Sequence, residues 1–142
     1  MKDNNNIILN KEDVKFLVIH CSDTSDKKSL TAIDIHKMHL GFKWDGIGYH
    51  KIIQRNGFIE NGRPEFWIGA HTFSKNNRSL GVCLIGRNNF SDLQFLSLKN
   101  LLIEWKIKYP NSIILGHRDS INTNKTCPNF NVNKWCKKEN LL

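Results

Sequence analysis

The chain opens without the apolar stretch that secretion or membrane anchoring requires. After the polar segment Met1 to Asn6 only Ile7, Ile8 and Leu9 follow in a run, whereas a membrane span needs about 20 apolar residues. Synthesis is therefore expected to leave the chain in the cytoplasm. Acidic residues are also in short supply, 13 against 21 lysines and arginines, and the formal charge of +8 favours an anionic partner. Nucleic acid, a membrane surface and the acidic polymers of a bacterial wall all qualify. The basic residues are scattered, with only Lys27-Lys28 and Lys137-Lys138 adjacent, and no zinc-finger, basic-zipper or RNA-recognition signature is present. That argues against nucleic acid. The four cysteines, Cys21, Cys83, Cys127 and Cys136, are dispersed, and 142 residues can bury a core without disulfide staples, so reduced thiols are expected. Repeats and low-complexity linkers are missing as well. One domain over residues 1–142, with its core at about 14–138, is the reading that remains.

What is present alternates between strand and helix signals. Phe16-Leu17-Val18-Ile19 is too short for a helix and rich in strand formers, which suggests a buried central strand ending at His20-Cys21-Ser22. From Leu30 to Leu40 apolar residues recur at near-helical spacing. His36 and His39 are neighbours on that helix and could share a metal, but no Glu or further His supports them, and they read as surface histidines. Phe42 to Gly48 is a glycine-punctuated loop in which Trp44 could face a ligand. Two strand-like runs around Asn56-Gly57 predict a hairpin that Tyr49 opens. Tyr49 is either a core residue with a satisfied hydroxyl or a donor aimed into a site.

His71 ends Phe66 to Ala70 and is read as a loop residue. Leu80 to Gly86 predicts an interior strand with Cys83 in the core. Ser91 and Gln94 form a capping-box pattern ahead of a helix that Tyr109-Pro110 terminates. A short strand at Ile113 to Leu115 precedes His117. Asn131 or Asn133 is placed to cap a last helix, expected to pack on the sheet through Trp135. This alternation predicts α/β layers.

Chemistry concentrates in Gly116-His117-Arg118-Asp119 and Lys125-Thr126-Cys127-Pro128. A histidine after an apolar run is ordinarily a hydrogen-bonded core residue, and a single cysteine a small buried hydrophobe. Here the Lys125 charge, two residues away, favours a Cys127 thiolate, the form that binds zinc. A catalytic zinc site takes three protein ligands and keeps one position open. His20, at the end of the first strand, is the candidate third ligand, or else a histidine that caps the strand and bonds to backbone. The local residues leave both readings open.

Four ordered segments carry a resemblance over roughly Phe16 to Trp135. They are FLVIHCS, GIGYHKIIQRNGFIENGR, IGAHTFSKNNRSLGVCLIG and GHRDSINTNKTCPNF. Together they resemble the zinc-dependent N-acetylmuramoyl-L-alanine amidases of the second type, a group that includes short phage amidases and peptidoglycan recognition proteins. The resemblance implies a central mixed β-sheet flanked by helices in a single domain, with zinc at one rim held by His20, His117 and Cys127. It implies catalytic roles for Tyr49 and Lys125, and His71 and Trp44 as groove residues that bind substrate. Lys125 would stabilise the oxyanion, and Tyr49 would orient water or pass a proton to the leaving amine. The partner implied is peptidoglycan, cut between muramic acid and L-alanine, and the chain is expected to act as a monomer. A phage or prophage endolysin is the leading expectation. A cytoplasmic muropeptide-recycling amidase and a non-catalytic wall-binding or regulatory module are the alternatives, and the presence of Cys127 argues against the last.

Overall fold

The computed structural model describes residues 7–120 and 123–142. Five strands form one mixed sheet: β1 (Phe16–Cys21), β2 (Lys51–Ile53), β3 (Ile59–Asn61), β4 (Ser79–Leu84) and β5 (Ile113–Gly116). Their order across the sheet is β3-β2-β4-β1-β5, and only the β2–β3 hairpin is antiparallel. Among the described residues three α-helices flank the sheet, α1 (Ala32–Gly41), α2 (Asp92–Lys108) and α3 (Val132–Lys138). No helix among the described residues is long and apolar enough to cross a membrane.

Side-chain alternation along the strands divides the two faces. Leu17 and Ile19 of β1 join Leu80, Val82 and Leu84 of β4 in the larger core, where Leu98, Leu101, Leu102 and Trp105 of α2 cover them. Each such fully buried side chain is worth about 1.5–3 kcal/mol. The intervening residues of β1, Val18 and His20, face the other way. On that side Ala32 and Ile35 of α1 pack with Ile52 and Ile85 in a smaller cluster. The smaller cluster leaves part of this face for polar side chains.

The α2 start follows the sequence pattern, with Ser91 Oγ accepting from the Gln94 N–H and Gln94 Oε1 accepting from the Ser91 N–H. The fully buried Gln94 also donates through Nε2 to the carbonyls of Ile53 and Ile85, tying α2 to the ends of β2 and β4. In α3 the expectation about Trp135 is corrected. Val132 and Cys136, one turn apart, are the buried residues, and Val132 lies against Gly116 of β5. Trp135 packs instead on Phe95 and Phe130, at ring-centroid distances of 5.8 and 6.3 Å.

Candidate metal centre

Strand register assembles the site. His20 pairs with Cys83 of β4, and Ile19 pairs with Gly116 of β5. Because β5 runs parallel to β1, the residue after Gly116 comes to lie beside His20. That residue is His117, first in a short 3-10 turn to Asp119, and the two imidazole centroids are 4.6 Å apart. The return of the chain after residue 123 brings Cys127 to the same spot, with a cis bond to Pro128 and an Arg118 N–H donated to the Cys127 carbonyl at 2.7 Å. One donor atom from each of His20, His117 and Cys127 lies within 4.8 Å of the others. Cys127 Sγ is 3.9 Å from His20 Nδ1. Tetrahedral ligands at ordinary Zn–N and Zn–S distances stand about 3.6 Å apart. Two imidazoles and a thiol at this spacing suit a metal ion.

The site residues are held neutral by burial. His20, 1 % exposed, has its pKa driven well below the usual range by desolvation and then by His71, His117 and His50. His117 is lowered by burial and by the Lys125 ammonium. Neutral imidazole is the metal-binding form. The Lys125 charge thus bears on His117. A hydrogen bond with the Cys21 thiol, together with burial, raises the Cys127 pKa. The contact that favours its thiolate is the Cys21 backbone N–H, 3.1 Å from Sγ.

These groups line a cleft of about 570 Å³ that also includes Trp44, Tyr49, His71, Thr72, Phe73 and Lys125. Tyr49 is half-buried with its ring 5.1 Å from that of His20. Burial, then the neighbouring Cys83, Cys127 and Cys21 thiols, raise its pKa well above the usual phenol range, so it remains a proton donor. Trp44, which lines the cleft, has its ring 4.6 Å from that of His39 at a tilt of 60°.

His39 is buried, which corrects the surface reading. Its Nδ1 accepts the Gly48 N–H at 2.9 Å, and His36 Nδ1 accepts the Ile47 N–H at 3.0 Å. The two histidines fasten the loop that delivers Tyr49. Sequence reasoning also passed over Cys21, Thr72 and Phe73. Cys21 was signalled by its place beside a candidate ligand, whereas Thr72 and Phe73, in a polar loop, gave no signal.

The profile of the N-acetylmuramoyl-L-alanine amidase family matches residues 10–130. The chain belongs to that family. Among its relatives, the endolysin of Enterobacteria phage T3 is 34% identical over 134 residues, covering 89% of this chain and 87% of the relative. The endolysin of Klebsiella phage KP32 is 31% identical over 140 residues, or 93% and 91% of the two chains. Among solved structures, the N-acetylmuramoyl-L-alanine amidase LysCS of Clostridium intestinale URNW superposes with a TM-score of 0.81 at 28% identity, covering 94% of this chain and 88% of that one. All three alignments run nearly the whole length of the amidase domain and so include the strands that assemble the site.

Proposed function

We propose that the chain is a phage endolysin that hydrolyses the amide between N-acetylmuramic acid and L-alanine in peptidoglycan, with zinc held by His20, His117 and Cys127. The observation that carries this reading is the convergence of those three donors at the floor of the cleft, in a chain of the amidase family. When bound, zinc supplies a Lewis acid that polarises the scissile carbonyl and increases the acidity of water.

The chain's own groups do the rest. Lys125, exposed at the cleft mouth, carries a positive charge to the side of the site where His117 lies. There it stabilises negative charge developing on the carbonyl oxygen. Tyr49, kept protonated, donates a hydrogen bond to the reacting amide or passes its proton towards the leaving amine. Trp44 offers an apolar ring on which the muramyl peptide can rest. The enzyme is made in the host cytoplasm and acts on the host wall. The net positive charge draws it to acidic wall polymers.

The deciding experiment incubates the purified protein with intact sacculi and measures newly freed L-alanine amino groups and new reducing sugars in parallel. The reading expects amino groups alone, with activity lost to a chelator and restored by zinc. New reducing ends would make the protein a glycosidase. Activity on soluble muropeptides combined with none on sacculi would make it a recycling enzyme.

A further inference from the structure

His71 carries the feature that the reading above leaves unused. The residue is only 9 % exposed, and its ring sits behind His20 on the side away from Cys127. His71 Nδ1 lies 2.9 Å from His20 Nε2, with the two rings perpendicular at an interplanar angle of 87°. Thr72 Oγ1 completes a triangle, 2.9 Å from His71 Nδ1 and 3.2 Å from His20 Nε2.

The partners assign the protons. His20 turns Nδ1 to the Cys127 sulfur, so Nε2 carries its hydrogen and needs an acceptor. On the far side of His71, Ser79 Oγ lies 3.4 Å from Nε2 and has already donated its own hydrogen to the Lys75 carbonyl, at 2.7 Å. It therefore accepts from His71 Nε2–H, which leaves the lone pair of His71 Nδ1 directed at His20. The ring is also confined sterically. A Cβ at Gly81 or at Gly69 would lie 2.6 Å from His71 ring atoms, so the two glycines form a slot that fits this imidazole. Asn76 Oδ1 accepts the backbone N–H groups of both His71 and Thr72 at 2.9 Å, which fixes the loop beneath them.

We propose that His71, assisted by Thr72, is a positioning residue of the metal site: its Nδ1 accepts the His20 Nε2–H and so holds the His20 Nδ1 lone pair towards the ion. This rests on the zinc reading above and replaces the expectation that His71 binds substrate. A ligating imidazole whose second nitrogen is anchored keeps both its tautomer and its orientation, and loss of such an anchor typically weakens metal binding by roughly 10–100-fold.

The test compares His71→Phe, which fills the slot without an acceptor, with His71→Asn, whose amide oxygen can occupy the place of Nδ1. Zinc dissociation constants are measured by competition with a chromogenic chelator, and KM is measured on a soluble muropeptide at saturating zinc. The expected result is zinc affinity lower by roughly 10–100-fold in the Phe variant, largely regained in the Asn variant, with KM unchanged in both. Equal zinc affinity in the two variants, or a raised KM with zinc affinity intact, overturns the proposal; the latter returns His71 to the substrate groove. Should the Phe protein not fold, His71→Ala takes its place and the comparison with Asn is read in the same way. A parent protein that binds no zinc and frees no amino groups refutes the amidase mechanism itself. An active parent whose variants are indifferent refutes only the role of His71.

Discussion

The backbone N–H of Cys21 points at the Cys127 sulfur from 3.1 Å, across 106 residues of sequence. The same stretch is held on its other side by Asn129, whose Nδ2 donates to the Arg87 carbonyl at 2.8 Å. The last residue of β1 thus fastens the loop bearing the thiol next to the strand bearing His20. A hydrogen bond from an amide to a thiolate is charge-assisted, so this backbone contact works towards the ligating form, against the burial and the Cys21 thiol that raise the Cys127 pKa.

Cys127→Ser should therefore remove zinc and activity together. A hydroxyl in the same place remains neutral near pH 7 and is a far poorer ligand than a thiolate. Elemental analysis of the purified variant, alongside release of L-alanine amino groups, is the check. A variant with a full complement of zinc would take Cys127 out of the ligand set.

Tyr49→Phe should fail differently, because it removes one oxygen from a group that lines the cleft without belonging to the donor cluster. Zinc content should match the parent while kcat falls by roughly 10²–10⁴-fold, the range for a lost proton-transfer group. Loss of zinc would make Tyr49 a structural support, and full turnover would remove it from the chemistry.

Acid should destabilise the metal-free protein before carboxylates titrate. Burial lowers the His50 pKa from 6.5 to about 4, and burial lowers His20, His39 and His71 in the same direction. Below pH 6.5 the unfolded chain takes up protons that the folded chain refuses, so stability must fall as pH falls. His50 alone accounts for about 3 kcal/mol by pH 4. Urea unfolding of chelator-treated protein between pH 7.5 and 4.5 reads this slope, and His50→Gln should reduce it. A slope unchanged by that substitution would refute the assignment.

Gln94→Leu should destabilise the fold by about 2–3 kcal/mol without altering zinc affinity. It strips the Ser91 N–H of its acceptor and removes two buried bonds to the ends of β2 and β4. Urea midpoints and zinc titrations on the same preparation separate the two effects. A midpoint equal to the parent's would mean that the surrounding carbonyls are satisfied without it.

Local signals made much of this legible before any coordinates. The apolar run before His20 announced a strand end, Asn56-Gly57 the hairpin, and Ser91 with Gln94 the start of α2, because each depends on residues only a few positions apart. The relation of His117 to His20 is of another kind. It follows from the parallel register of β5 on β1, which no periodicity encodes, and four motifs recognised together had to stand in for it. His39 was misread because its partner, the Gly48 N–H, lies in a loop beyond the helix that carries it. Trp135 was misread because a large ring draws attention, while the smaller Val132 and Cys136 occupy the face towards β5.

The placement of the three donors also governs when this protein becomes an enzyme during its own synthesis. His20 emerges from the ribosome early, but its position beside the other ligands depends on β4 and β5, both added later and both paired in parallel with β1. Pairings between strands so far apart in sequence form only once the intervening chain is available. The thiol arrives later still, at position 127. A nascent chain that has not yet extended past Cys127 therefore lacks one of the three donors, however early His20 was made.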